Sequence, residues 1–475
     1  MADSQLEFDL SMPRRVHVVA IGGAGMSAIA RYLHALGHAV SGSDQRESKL
    51  LDRLAAEGIT IFVGHRADQV PAGCDAVTIS TAVRDTNPEV VEARRRGIPV
   101  LSRADALRLI VATSSRAIAI SGTHGKTTTT GMVVNVLRAG GLHPSFVVGG
   151  IVADLGTNAG RDSGEWMVVE ADESDGTFLH LPRDAVLVTN IEPDHIDWWG
   201  TFDALVAGFE EFVSAASGPR VLCADNPASA RIAAAFPSVT YGFDPSARYR
   251  ASGYAGITDG VAFDLSVDGA FRTPLTLRMH GRHNALNATG VAALAIELGV
   301  PLDSVVQGLA EFGGMTRRFE FRSNLNGATL YDDYAHTASE IAATLALARE
   351  VASDTLEGEP TGRVVAVVQP HRYTRISRHS QEFADAFVDA DVVVVTGLDG
   401  ASEDPIPGVS SQLVVDAILE RHPDTELTYL PEWDALRDVP WRIARPRDLV
   451  VTLGCGDITR VHDDWLAEGR RRGES

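Results

Sequence analysis

The residues with the clearest chemical potential are SGTHGKTTTT at 121–130. Gly122 and Gly125 let a backbone wrap a phosphate, and a helix starting after them adds oriented N–H donors. Lys126 supplies a point charge for β- and γ-phosphates, and the Thr127 hydroxyl is placed for a magnesium ion. A strict Walker pattern needs glycine where Ile120 stands, so the match is mechanical rather than literal. The plain alternative is a Gly/Thr-rich turn before a helix. A second cluster, WMVVEADESD, sets Glu170, Asp172, Glu173 and Asp175 just beyond an apolar run. Carboxylates this crowded repel one another, so the pattern predicts a cation or a basic partner beside them. TNIEPDHID then offers His195 as a second metal or phosphate contact, against the ordinary reading of a structural histidine. Further on, QPHRYTR gathers His371, Arg372, Tyr373 and Arg375. Arginine there suits a carboxylate held by paired hydrogen bonds, and an exposed basic loop is the alternative. GRHNALNA at 281–288 reads from its residues only as a polar helix start, with capping as the simple explanation.

The elements that must position these groups repeat three times. VHVVAI at 16–21 is a β-branched strand, followed by a glycine turn, a helix over about 26–36 and a strand ending at Asp44. Apolar strands follow at 76–80 and near 99–101. The pattern restarts near 113 with RAIAISG, a helix running to about Arg138, and strands at 166–171, 185–191 and 220–224. It restarts again after MTRRFEFR at 315–322, with ATLYDDYAH, VVAVVQPHRYTR, DVVVVTGL and DLVVTLGCGDI. Strands alternating with helices predict parallel, doubly wound sheets, whose ligands gather at the carboxyl ends of the strands. The chain therefore divides into three α/β domains, 1–112, 113–316 and 317–475, with an exposed loop expected at EGEPTG (357–362). The first glycine turn, AIGGAGMS, approaches the dinucleotide fingerprint but carries Ala20 in its first position. With Asp44 at the end of the next strand it predicts a diphosphate-containing nucleotide, without separating NAD from a UDP-sugar.

Bulk properties remove several classes. A chain of 475 residues with 45% hydrophobic and 22% charged residues has ample core for folded domains. The net charge of −21 argues against general binding to nucleic acid or anionic membranes. Cys74, Cys223 and Cys455 have no metal-ligand spacing and are odd in number, which fits a reducing cytoplasm. Arg14 and Arg15 before an apolar run imitate a secretion signal. Asp3, Glu7 and Asp9 precede them, however, and Gly22, Gly23 and Gly25 break the run. No apolar stretch of membrane-spanning length is present.

SGTHGKTTTT, EADESD, TNIEPDH and GRHNALNA occur in this order and spacing in the Mur ligases, which this chain resembles. That family couples ATP cleavage to amide formation on a UDP-sugar carboxylate. The resemblance implies an N-terminal Rossmann-like domain, a central P-loop ATPase-like domain and a C-terminal Rossmann-like domain. By it Gly122, Thr123, His124, Gly125, Lys126, Thr127 and Thr128 hold ATP, and His283, Asn284 and Asn287 line the adenine pocket. Thr127, Glu170 and His195 serve Mg²⁺, and Lys126, Glu170, His195 and Arg318 carry the catalysis. AIGGAGMS, SGSD, STAVRDTNPE (80–89) and PHRYTR resemble the alanine-adding branch. They imply UDP-N-acetylmuramate at Gly22, Gly25, Met26, Ser27, Asp44 and Ser80, and L-alanine at Tyr334, His336, His371, Arg372 and Arg375.

The chemistry so implied is phosphorylation of the sugar's lactyl carboxylate, followed by attack of the amine on the acyl phosphate. Charge from magnesium, Lys126 and one of Arg317 or Arg318 brings the two anions together, and domain closure excludes water. The implied setting is cytoplasmic, as monomer or homodimer, without nucleic acid or membrane insertion. Departures from the family pattern fall in the acceptor domain: DDYAHTASE has Thr337 and Ala338 for histidine and proline, LDGASEDPIPG replaces an aromatic stretch, and GCGDI carries Cys455 for alanine. Rival readings are a Mur-type ligase with another acceptor, a nicotinamide-dependent oxidoreductase resting on the first glycine turn, and a nucleotide-binding module without catalysis.

Overall fold

A computed structural model describes residues 8–257, 260–353, 361–401 and 403–473. Asp3, Glu7 and most of the loop expected at 357–362 lie outside them. The chain forms two compact units, one reaching to Met315 and the other starting at Thr316.

The first unit holds two sheets. Strands β1 (Arg15–Val19), β2 (Ala39–Asp44), β3 (Thr60–Val63), β4 (Ala76–Ile79) and β5 (Val100–Ser102) are all parallel, in the order β3-β2-β1-β4-β5. The order reverses between β1 and β4, which opens a crevice at the carboxyl end of β1. The glycine turn occupies that place and leads into the helix Ala24–Ala35.

The second sheet contains β6 (Arg116–Ser121), β7 (Ser145–Val152), β8 (Thr157–Gly160), β9 (Trp166–Glu170), β10 (Ala185–Val188), β11 (Arg220–Cys223), β12 (Val239–Gly242), β13 (Tyr249–Ile257), β14 (Gly260–Val267) and β15 (Ala270–Leu277). Its order is β15-β14-β13-β12-β11-β10-β6-β9-β7-β8, parallel except for β13–β14, β14–β15 and β7–β8. Its central strands are buried on both faces, as their unbroken apolar runs require. The helix Lys126–Ala139 packs Met132, Val133, Val136 and Leu137 into the core beneath them. A single apolar cluster joins Val18 and Ile29 of the first sheet's layer to Val147 and Val169 of the second. The boundary expected near 112 thus falls inside one compact unit.

The second unit is built on β16 (Glu320–Leu325), β17 (Ala328–Asp333), β18 (Val364–Val368), β19 (Val392–Thr396), β20 (Glu426–Leu430) and β21 (Leu449–Leu453). The order is β16-β17-β21-β18-β19-β20, with β16 alone antiparallel. β17, β21 and β18 run side by side, so Asp333, Leu453 and Val368 bring three polar loops to one edge.

Candidate active site

The phosphate loop is shaped by the tail of the neighbouring strand. Gly122 has φ 135° and a Cβ there would meet Thr189 at 2.1 Å; Gly125 has φ 80° and would meet Asn287 at 2.8 Å. Only glycine fits either place. The Thr189 hydroxyl donates to the His124 carbonyl (2.6 Å), and the Asn190 side chain both accepts from the His124 N–H (2.9 Å) and donates to its carbonyl (3.0 Å). The Thr123 N–H donates to the Asn190 carbonyl. The loop is therefore fixed in advance by β10's polar tail, as a phosphate cradle must be.

Lys126 begins the helix behind the loop. Its ammonium donates to the Gly122 carbonyl (2.7 Å), the Thr123 carbonyl (3.1 Å) and Glu173 (3.0 Å). Burial lowers its pKa, but Glu173, Asp172 and Glu170 outweigh that and hold it above the ordinary lysine value, so the charge is kept. The Thr127 hydroxyl donates to Glu170 (2.9 Å), whose other oxygen accepts from the Gly149 N–H (2.7 Å). His195, at φ 52°, caps the short helix Ile196–Trp199 and lies 3.9 Å from Glu173. The Trp199 indole donates to the Glu173 carbonyl (3.0 Å), fixing that residue's backbone.

The crowded acids find the basic partners their spacing predicts. Lys126 faces Glu173, and Arg103 donates to Asp172 (3.0 Å) and Asp175 (3.1 Å). Burial pushes the Asp172 carboxyl up, yet Lys126 and Arg103 hold it down at about 2. Nothing in the local sequence marks Arg103, whose partners lie 69 and 72 residues further along the chain. Among the described residues no three His, Cys, Asp or Glu side chains converge as a closed metal site. Magnesium does not need one, because it keeps waters and binds through one or two carboxylates plus substrate phosphates. The hydroxyl of Thr127 and carboxylate of Glu170 meet beside the cradle as hard oxygen donors, which fits that ion.

At the first glycine turn Ala20, standing where the fingerprint has glycine, adopts φ 60°. The backbone keeps the left-handed conformation although the residue has changed. The Gly22 N–H donates to Asp44 (2.9 Å), and a Cβ on Gly22 would lie 2.8 Å from that carboxylate. The turn and the acid therefore stand together at the carboxyl ends of β1 and β2. Gly25 opens the helix's first turn, and Ser80 follows β4 half-buried. Met26 and Ser27 are buried: Met26 joins the core, and the Ser27 hydroxyl donates back to the Ala24 carbonyl of the turn and accepts from Asn158. Nearby, His17, His65 and Ser43 surround the buried Glu89, whose carboxyl burial raises but whose hydrogen bonds to them hold it down at about 2.

GRHNALNA does not cap its helix through a side chain. Gly281, at φ 98°, precedes the helix Arg282–Glu297 without a side-chain cap bond. Asn284 and Asn287 are buried, Asn284 donating to the His280 carbonyl (2.8 Å) and Asn287 lying against Gly125. His283 is exposed on the same first turn.

In the second unit the adjacent arginines behave differently. Arg317 donates to the carbonyls of Gly454 and Gly456 and pairs with Asp332 (3.3 Å). Arg318 makes no hydrogen bond or ion pair with another described residue and lies 5.3 Å over the Tyr334 ring. Arg317 and Phe319 both have positive φ, 59° and 49°, and the buried Asp333 accepts from the Phe319 N–H (2.7 Å). Burial pushes the Asp333 carboxyl up to about 6 against the pull of Arg318.

His336 packs edge-on to Tyr334 and His371, with ring centroids 5.5 and 6.3 Å away. Burial lowers both imidazoles, His371 to about 4, so they are neutral near pH 7. Arg372, at φ 69°, starts the helix Tyr373–His379, and Arg375 reaches back to the His371 carbonyl (3.5 Å). Burial also pushes the Cys455 thiol, beside this group, up to about 11. Thr337 has a structural role: its hydroxyl accepts from the Glu340 N–H and Glu340 accepts from the Thr337 N–H (3.1 Å), a capping box opening the helix Ala338–Ser353.

The comparisons with known proteins agree over most of the chain. Residues 15–115 match the model described as Mur ligase family, catalytic domain; 120–295 match the Mur ligase middle domain; 317–456 match the Mur ligase, glutamate ligase domain. A UDP-N-acetylmuramate–L-alanine ligase of Sinorhizobium fredii is 45% identical over 95% of this chain and 97% of its own. One of the same name from an Anaeromyxobacter species is 46% identical over 96% and 98%. The crystal structure of the UDP-N-acetylmuramate-alanine ligase of Thermotoga maritima superposes with TM-score 0.83 at 29% identity, covering 96% of this chain and 99% of that one. A murein peptide ligase from Psychrobacter arcticus shares the fold at TM-score 0.72 and 24% identity over 96% and 98%.

Proposed function

This chain belongs to the Mur ligase family, and on that footing we propose that it joins L-alanine to the lactyl carboxylate of UDP-N-acetylmuramate at the expense of ATP. The full-length likeness to alanine-adding relatives carries the reading. The product is a peptidoglycan precursor, made in the cytoplasm by a monomer or homodimer. No helix among the described residues is long and apolar enough to cross a membrane.

A carboxylate is a poor electrophile, so the lactyl oxygen first attacks the γ-phosphorus, forming a P–O bond as the bond to ADP breaks. The alanine ammonium first gives one proton to solvent, and its nitrogen attacks the acyl carbon. The C–O bond breaks with the electron pair leaving on inorganic phosphate, and a second proton passes to that phosphate or to solvent, leaving one on the amide. Lys126, charged and fixed at the cradle, offsets the anions that the first step brings together. Magnesium, where bound, adds further positive charge to the phosphates, and Thr127 and Glu170 would hold it, with His195 serving a second ion.

The functional division follows 1–112 for the sugar nucleotide, 113–316 for ATP and 317–475 for the amino acid. His283, Asn284 and Asn287 line the adenine side. Gly22, Gly25 and Asp44 face the donor, the first turn's backbone receiving its diphosphate. Tyr334, His336, His371, Arg372 and Arg375 form the acceptor group, with arginine for the alanine carboxylate and neutral imidazoles near its amine. Arg318, with no ion pair among the described residues, is the second cation for the phosphoryl step.

The deciding assay follows ADP release from ATP, Mg²⁺ and UDP-N-acetylmuramate with L-alanine, glycine, L-serine or D-glutamate as acceptor. Release that depends on L-alanine is expected; a signal with only another acceptor sinks the alanine assignment.

A further inference from the structure

Arg103 sits where local preference argues against it. It is the first residue of the helix Arg103–Val111, opened by a capping box between Ser102 and Asp105. A cation in a first turn opposes the helix dipole, which favours acids there. Its guanidinium spends one nitrogen on the acids: Nη2 donates to both Asp172 and Asp175. Nε is buried and has no hydrogen-bond partner among the described residues. Nη1 lies 3.7 Å from where a Cβ on Gly25 would stand, on the first turn of the helix Ala24–Ala35. The guanidinium therefore lies against the first turn of that helix, at van der Waals distance from the Gly25 position.

A tie between two layers would need only the Nη2 contacts, which a lysine could make. A planar fork with unspent donors beside a glycine turn suits a phosphate instead. We infer that Arg103 is a ligand of the donor's diphosphate, oriented for it by Asp172 and Asp175. The inference rests on the donor site proposed above and extends it. Asp172 also acts on Lys126, so Arg103 places the diphosphate subsite one residue from the ATP cradle's charge network.

The test titrates UDP-N-acetylmuramate and MgATP separately into the full-length wild type, R103Q and R103K. In R103Q the donor's Kd should rise on the order of 10- to 100-fold, the scale of lost charge-assisted hydrogen bonds. ATP binding should change far less, and KM for the donor should rise with little loss of kcat. R103K keeps the charge and the acid contacts and should show a smaller rise; it carries the test if R103Q does not fold. Unchanged donor affinity in the variants, or equal loss of both ligands, overturns the inference. A wild type that binds MgATP but no UDP-N-acetylmuramate sinks the donor reading itself.

Discussion

The Lys126 ammonium lies 2.9 Å from the Glu173 carboxylate, and that carboxylate has no exposure to solvent. Each charge depends on the other, since removing one partner of a buried pair costs about 3–5 kcal/mol while removing both costs much less. Lys126→Ala should therefore lose phosphate release by several orders of magnitude and also unfold more easily. The double variant K126A/E173Q should regain much of the stability and none of the turnover. Denaturation midpoints and phosphate release, measured on the same samples, separate the two effects. Turnover returning with stability would remove Lys126 from phosphate binding.

Glu170 holds Thr127 on one oxygen and the Gly149 N–H on the other. Glu170→Gln keeps an acceptor in place and deletes the charge. The Mg²⁺ concentration for half-maximal ADP release should rise roughly tenfold or more, the scale of one lost charge-assisted contact. Chelation by EDTA should stop the wild type. An unaltered Mg²⁺ dependence in E170Q would take Glu170 out of the metal site.

Strands buried on both faces were legible because they are unbroken apolar runs: β6, β9, β18, β19 and β21 fall where the pattern puts them. β13–β15 were not, because exposed positions and Gly253, Gly256 and Pro274 interrupt their alternation. Site residues were legible where chemistry is local, as in the run from Gly122 to Thr127. Arg103 was not, since its partners stand 69 and 72 residues away. Thr337 looked like a lost histidine, although T-x-x-E before an apolar run carries the capping signal. Ala20 shows the reverse case, a fingerprint glycine replaced while its backbone conformation persists.

His462 is fully buried against Trp465, its Nε2 within 2.8 Å of the Thr452 hydroxyl and its Nδ1 without a hydrogen-bond partner among the described residues. Burial holds the imidazole down at about 4, against the pull of Asp332. The unfolded chain takes up a proton near 6.5, so this group's stability is present above that pH and is lost as pH falls towards 4. Between pH 7 and pH 5 the loss is about 2 kcal/mol. Urea midpoints at the two pH values should fall less in His462→Gln than in the wild type. An equal fall in both would place the pH response elsewhere.

Arg317 and Arg318 are neighbours with different surroundings. Arg317 ties Asp332, itself held by the Thr452 and Thr459 hydroxyls (both 2.6 Å), to the carbonyls flanking Cys455. Its removal strands a buried carboxylate and frees the loop, so Arg317→Ala should lower stability by about 3 kcal/mol. Arg318 has positive-φ residues on either side and Asp333 fixing the backbone beyond it, which aims its side chain without occupying its charge. Arg318→Ala should leave the urea midpoint nearly unchanged and reduce kcat on the order of 10²- to 10³-fold, the cost of losing one preorganised contact to developing charge. Both variants need the two measurements, midpoint and kcat. Full turnover in R318A, or equal destabilisation of the two proteins, would show that the strained backbone around Arg318 does not serve the phosphoryl step.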